Sequence, residues 1–222
     1  MPPSNWRTYL VTQESLSAGR STVEIVRDAI AGGIDGVQLR EKKTDAAWRY
    51  DLGCELRELT AEAGVDLIVN DRVDIAAAID ADGVHVGQSD LPVTVVRELL
   101  GPDAIIGCST STIEQARQAE ADGADYLGVG TIYGTTSKDV ATNKDGVGPE
   151  RVAAITDAVS IPIVGIGGIT AENAGPVVEA GAVGVSVISE ITQATDPAVA
   201  TEALREAVET EKRVADGGQV DE

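Results

Sequence analysis

Along the whole chain two kinds of segment alternate with a regular rhythm. Short β-branched runs recur at Thr8 to Thr12, Gly36 to Arg40, Asp66 to Asn70, Gly83 to Val86, Ala104 to Ser109, Tyr126 to Val129, Pro162 to Ile166 and Gly184 to Ser189, and they read as eight strands. Amphipathic stretches at helical period lie between them, as at Thr22 to Ala31, Asp45 to Ala63, Val93 to Leu100, Ile113 to Ala121, Pro149 to Ala158 and Ala171 to Ala180. Strict alternation implies parallel strands, because a parallel connection must cross back over the sheet and a helix makes that crossing. Four segments echo one another where a helix hands over to a strand: Ile34-Asp-Gly-Val-Gln, Ala81-Asp-Gly-Val-His, Ala124-Asp-Tyr-Leu-Gly and Ala182-Val-Gly-Val-Ser. They open strands 2, 4, 6 and 8 at a mean spacing of about 49 residues, or two βα units, as the quarters of a closed eightfold barrel would be. The expected fold class is therefore α/β, a single (βα)8 TIM barrel. An open doubly wound sheet would favour a glycine-rich turn after its first strand, and Val11-Thr-Gln-Glu-Ser is not one.

The 222 residues suit one such domain over 1–222, with no linker to cut at and an acidic tail expected to be disordered from about residue 212. No apolar run approaches the roughly 20 residues of a membrane span, and the first ten residues lack the basic-then-apolar order of an export signal. A cytoplasmic protein is expected. Cys54 and Cys108 sit in helical and strand patterns and read as buried reduced thiols, neither a disulfide framework nor a metal set. The net charge of -20, from 37 acids against 17 bases with no basic run, argues against nucleic acid and anionic membranes as partners. Such a field destabilises a compact chain unless salt screens it, so the acids read as adaptation to a salty cytoplasm.

In barrels of this kind the chemistry lies at the C-terminal ends of the strands, and the polar residues collect there. Strand 6 runs through Gly128-Val-Gly-Thr-Ile-Tyr-Gly into Thr135-Thr136-Ser137-Lys138, a loop that suits phosphate and equally an ordinary surface connection. Strand 7 ends in Gly167-Gly168 and strand 8 in Ile188-Ser189, the quarter where such barrels often bind phosphate. Across the mouth, Arg40, Lys42 and Lys138 could surround a more highly charged anion such as a diphosphate. Asp71 and Asp90 would repel that anion unless a cation such as Mg²⁺ lay between, although each also precedes a helical stretch and could cap it. His85, the one histidine, sits inside a strand, where a packed role is as open as a chemical one.

Taken together and in order, Gln38-Leu39-Arg40-Glu41-Lys42, Asn70-Asp71-Arg72, the run from Asp82 to Asp90, the Gly130 to Lys138 loop, Ile161 to Ile169 and Gly184 to Ile191 resemble the thiamine phosphate synthase family over nearly the whole chain. The resemblance implies a transferase that joins 4-amino-2-methyl-5-(diphosphooxymethyl)pyrimidine to 4-methyl-5-(2-phosphooxyethyl)thiazole, two small phosphorylated substrates, with release of diphosphate. It implies that Gln38, Leu39, Arg40, Glu41, Lys42, Asn70, Ser109 and Lys138 form the pyrimidine diphosphate site, Arg40, Lys42 and Lys138 acting on the leaving group. Thr135, Thr136, Ser137, Gly168, Ile188 and Ser189 would form the thiazole phosphate site, and Asp71 and Asp90 would hold one Mg²⁺. The implied chemistry is dissociative and needs no enzymic base. Two prolines usual in the strand 6 loop are replaced by Thr131 and Gly134, and one threonine by Ser137, which keeps the donors and predicts a more flexible loop. A thiazole tautomerase shares much of the pattern but relies on a histidine beyond the strand 5 serine, where this chain has Ser111. A non-catalytic sensor of phosphorylated metabolites is the reading from another class. The sequence leaves homo-oligomerisation open.

Overall fold

A computed structural model of the chain describes residues 3–135, 146–215 and 217. Its strands are β1 (Thr8–Val11), β2 (Gly36–Leu39), β3 (Asp66–Asn70), β4 (Gly83–Val86), β5 (Ile105–Thr110), β6 (Tyr126–Gly130), β7 (Ile163–Ile166) and β8 (Gly184–Val187). Each pairs in parallel with the next, and β8 returns to β1 with Thr8 opposite Val185, so the sheet closes as the rhythm required. The helices are α1 (Thr22–Ala31), α2 (Ala46–Ala63), α3 (Val73–Ala78), α4 (Val93–Leu100), α5 (Ile113–Ala121), α6 (Pro149–Thr156), α7 (Gly175–Glu179), α8 (Ser189–Thr192) and α9 (Pro197–Ala215).

Strand alternation divides the core in two. Outward residues such as Leu10, Val37, Leu39, Leu67, Val69, Val84, Ile106, Leu127 and Val185 pack under the helices, while Trp6, Tyr9, Ile68, Tyr126 and Val164 fill the inside of the barrel. The chain has no phenylalanine, and three rings do that filling: Trp6 stacks on Tyr9 at 4.8 Å and meets Tyr126 edge-on at 5.0 Å.

The repeated Asp-Gly-Val-like echo has a physical basis. Asp35, at the entry to β2, accepts from the Arg7 and Thr8 amides of the neighbouring strand at 2.8 and 3.0 Å and pairs with Arg205 of α9 at 2.8 Å. Asp82 repeats this at β4 with the Leu67 amide and Arg57, and Asp125 at β6 with the Ile106 amide and Arg97. Three carboxylates thus rivet an even strand to the preceding odd one at the N-terminal face. The fourth echo has Val183 in that place, and there the backbone alone makes the tie, Val183 N to Ile163 O at 2.8 Å.

Several boundaries differ from expectation. α7 starts at Gly175, not Ala171, because Asn173 bends the preceding segment: its Oδ1 accepts from Thr170 N and its Nδ2 donates to Gly168 O. β5 runs one residue further, to Thr110, and β8 stops at Val187 because Ile188 already begins the turn into α8. α9 continues to Ala215, past the boundary at 212 expected for a disordered tail, with Lys212 and Arg213 complementing its C-terminal dipole. Cys108 is buried as expected, whereas Cys54 is only half-buried on α2; both are free thiols. Among the described residues no helix is long and apolar enough to cross a membrane.

Candidate active site

The expected strand ends converge at one rim of the barrel, where two clefts meet. The first, of about 600 Å³, is lined by Arg40, Lys42, Asn70, His85, Asp90, Ser109 and Thr131 among others. The second, of about 640 Å³, is lined by Thr135, Gly167, Gly168, Ile188, Ser189 and Glu190 among others. Ile166, the last residue of β7, lines both. One cleft therefore carries two bases and the Asp90 carboxylate, while the other, which Glu190 also borders, is built around a glycine turn, and a molecule in each would meet over Ile166.

Beside the first cleft, Lys42 Nζ lies 3.7 Å from Asp71 Oδ2, and the same carboxylate oxygen accepts from Asn70 Nδ2 at 2.8 Å. Asp71 adopts a φ of 54°, a left-handed conformation that turns its side chain back to the strand end instead of along α3. It does not cap that helix, whose N-cap is Arg72 with no side-chain bond. Asp90 does not cap α4 either: the N-cap is Pro92, and Asp90 Oδ2 accepts from the Gly87 amide at 2.7 Å across the β4 turn. The capping alternative is thus excluded for both. Arg40 Nη1 donates to Gln13 Oε1 at 3.2 Å, and its own amide donates to Thr12 Oγ1, which fixes the guanidinium beside the β1 end.

Not every residue of the Gln38 to Lys42 run faces this cleft. Gln38 points into the barrel; Leu39, one position on, is buried in the outer core. Glu41, with the same parity as Leu39, is buried and accepts from the Glu14 amide and the Thr22 hydroxyl, each at 3.1 Å. Burial pushes its carboxyl above the usual carboxylate range, against the lowering effect of those donors. Glu41 thereby ties β2 to the start of α1, beside a hollow that Arg40 and Lys42 also border.

The second cleft is shaped by β6 and β7 together. Gly167 and Gly168 take φ of 107° and 65°, which only glycine adopts without strain, and a Cβ on Gly168 would sit 2.8 Å from Gly134 O. Tyr133 N donates to Gly167 O at 2.8 Å, and Tyr133 Oη donates to Asn173 O at 3.0 Å, holding the start of the β6 loop against this turn. Ser189 opens α8, and Glu190 accepts from the Ala171 amide at 3.1 Å. Thr136, Ser137 and Lys138 lie outside the described residues.

The sequence reading did not anticipate Tyr9 and Tyr126. Gln38 Nε2 lies 2.8 Å from Tyr9 Oη, which is 3.1 Å from Tyr126 Oη. That oxygen is 2.9 Å from His85 Nδ1, and His85 Nε2 is 2.8 Å from Ser109 Oγ. Five side chains from five strands thus form one buried polar chain, and its terminal members, Gln38 and Ser109, are both residues expected at the pyrimidine. The available signal was their inward parity on strands whose neighbours carry glycine.

A closed parallel barrel whose described anion-suited groups, Arg40, Lys42, Thr135, Gly168 and Ser189 among them, border two adjoining clefts at the C-terminal rim defines a (βα)8 barrel enzyme. Residues 8–191 match the family described as thiamine monophosphate synthase. Over 206 residues the chain is 62% identical to the thiamine-phosphate synthase of Haloarcula marismortui, covering 92% of this chain and 98% of that one. It is 54% identical to the thiamine-phosphate synthase of Moorella thermoacetica, covering 91% and 96%. The solved structure of thiamine phosphate pyrophosphorylase from Pyrococcus furiosus superimposes with a TM-score of 0.85 at 39% identity, covering 94% of this chain and 98% of that one. The chain belongs to the thiamine monophosphate synthase family and is a transferase.

Proposed function

We propose that the chain condenses 4-amino-2-methyl-5-(diphosphooxymethyl)pyrimidine with 4-methyl-5-(2-phosphooxyethyl)thiazole to give thiamine phosphate and diphosphate, in a cytoplasm of high salt. The observation that carries this reading is the pair of clefts meeting at Ile166, one basic and carboxylate-bearing, the other built on the Gly167-Gly168 turn. The pyrimidine would lie over Gln38, Asn70 and Ser109 with its diphosphate against Arg40, Lys42 and Lys138. The thiazole phosphate would occupy the second cleft on Thr135, Thr136, Ser137, Gly168, Ile188 and Ser189. Leu39 and Glu41 support this site from the outer side of β2 without facing it.

Asp71 and Asp90 fit one Mg²⁺. They end neighbouring strands, neither caps a helix, and two carboxylates completed by diphosphate oxygens and water are the donor set this ion takes. Among the described residues no group of three or more acidic, histidine or cysteine ligands exists, so diphosphate oxygens and water would have to complete the coordination. When bound, the ion would neutralise charge on the diphosphate oxygens. Arg40 and Lys42 stabilise the charge that grows on the departing group as the C–O bond breaks. The clefts would hold the two rings against each other, so that the thiazole nitrogen captures the pyrimidine-stabilised cation. No side chain has to remove a proton from a substrate for this.

The two clefts are separable by kinetics. Arg40→Ala should raise KM for the pyrimidine diphosphate and leave KM for the thiazole phosphate within about twofold, a difference of less than about 0.5 kcal/mol; Ser189→Ala should do the reverse. Equal effects of both variants on both substrates would sink the assignment.

A further inference from the structure

We infer that Tyr9, Tyr126 and His85 form a one-way hydrogen-bond relay that fixes the Ser109 hydroxyl as a donor into the pyrimidine cleft, making His85 and the two tyrosines positioning residues that select a ring with an acceptor there. The identity of the occupant as a pyrimidine rests on the function proposed above; the direction of the relay does not.

The direction follows from hydrogen-bond satisfaction. Gln38 Nε2 can only donate, so the oxygen of Tyr9 accepts from it. Tyr9 is buried, and its own hydrogen has Tyr126 Oη at 3.1 Å within reach. If Tyr126 donated to Tyr9 instead, the Tyr9 hydrogen would lose that acceptor inside the barrel, and a buried donor without an acceptor is unfavourable. With Tyr9 donating, Tyr126 passes its hydrogen to His85 Nδ1, and the imidazole must carry its hydrogen on Nε2. Nε2–H then donates to Ser109 Oγ at 2.8 Å, and the Ser109 hydrogen is turned toward the cleft that Ser109 lines. Burial pushes both tyrosine hydroxyls above their usual range, so each keeps the hydrogen the relay uses.

The neighbouring strands are cut to seat these rings. A Cβ on Gly107 would lie within the Tyr126 ring, one on Gly128 would be 2.9 Å from His85 Cε1, and one on Gly36 would be 3.0 Å from Tyr9 Cδ2. None of the three has a positive φ, so these glycines serve space and not a turn. Packing on three strands thus holds the relay in one geometry.

Because His85 is the sole histidine, ¹⁵N NMR of the labelled apo chain at neutral pH reports its tautomer without ambiguity. The expected result is a pyrrole-type Nε2 and a pyridine-type Nδ1. The Nδ1–H tautomer, or protonation of both nitrogens, would overturn the relay. Tyr126→Phe removes the donor to Nδ1 at a residue that is fully buried, and it should convert the spectrum to a mixture of tautomers. The same variant should raise KM for the pyrimidine diphosphate about tenfold, equivalent to about 1.4 kcal/mol, and leave KM for the thiazole phosphate unchanged. An unchanged pyrimidine KM with a mixed tautomer would overturn the positioning role. If Tyr126→Phe does not fold, His85→Phe removes the donor to Ser109 Oγ directly and should raise KM for the pyrimidine diphosphate to a similar extent while leaving KM for the thiazole phosphate unchanged; an unchanged pyrimidine KM would overturn the positioning role. A wild-type chain that shows the Nε2–H tautomer but no turnover would refute the pyrimidine occupant while leaving the relay standing.

Discussion

Asp35→Ala should be the most destabilising of the three echo-aspartate substitutions, and the structure gives both the size and the order. The Asp35 carboxylate accepts from the main-chain amides of Arg7 and Thr8 at the start of β1 and pairs with Arg205, with only 8% of its side chain exposed. A hydrogen bond to a charged group is worth about 1.5–3 kcal/mol, but the exposure of Arg205 to 33% weakens the ion-pair share, so the loss should be about 3 kcal/mol. For a chain of this size each kcal/mol moves the thermal midpoint by about 2–4 °C, hence a fall of about 6–12 °C. Asp82 keeps one such amide and is 28% exposed, and Asp125 keeps one and is 40% exposed, so their losses should be about 2 and about 1 kcal/mol. Thermal melts of the three alanine variants in one high-salt buffer give the ranking. Turnover well below each midpoint should stay near wild type, since these residues lie at the face opposite the clefts. Equal shifts in all three, or lost turnover in a folded variant, would refute the rivet account.

Other consequences can be checked in the same preparations. Midpoints should rise as KCl goes from about 0.1 M to about 3 M, because the Debye length falls from roughly 10 Å to under about 3 Å and the repulsion behind a net charge of -20 is screened; a flat or falling curve would dismiss salt adaptation. Asp71→Asn and Asp90→Asn should each lower turnover by at least about tenfold, equivalent to about 1.4 kcal/mol, and raise the Mg²⁺ needed for half-maximal rate, with unchanged melting; wild-type metal dependence in both would remove the metal role. Burial pushes the Cys108 thiol up to about 11, so at pH 7.5 only about one thiol in 3,000 is thiolate. In the native chain an alkylating reagent should therefore label Cys54 well before Cys108, and preferential labelling of Cys108 would contradict its environment.

The fold was legible because its signal is local. Strands of a parallel barrel are apolar on both sides, so each run from Thr8–Val11 to Gly184–Val187 shows up alone, and the echo at Asp35, Asp82 and Asp125 recurs because one tie between strands is used three times. The candidate clefts were legible where a residue ends a strand, as Arg40, Asn70 and Ser109 border one and Gly168, Ile188 and Ser189 the other. They blurred where the run Gln38 to Lys42 was taken as a block, although period-two alternation alone sends Leu39 and Glu41 to the outside. Asp71 and Asp90 could not be separated from helix caps in the sequence, because the distinction lies in a φ of 54° and in a bond back to Gly87. α7 was overextended because the Asn173 turn imitates a helix in composition. The polar chain through the barrel was out of reach for a different reason: Tyr9 and Tyr126 are 117 residues apart and meet only once the sheet closes.

The most direct test of the central claim, that two clefts meeting at Ile166 bring two phosphorylated substrates together, is a turnover assay with both substrates and Mg²⁺ in high KCl that follows diphosphate and thiamine phosphate in parallel. The two products should appear in equal amounts, and omitting either substrate should abolish both. Isomerisation of the thiazole without consumption of the pyrimidine diphosphate, or tight binding of both substrates with no product, would contradict that claim.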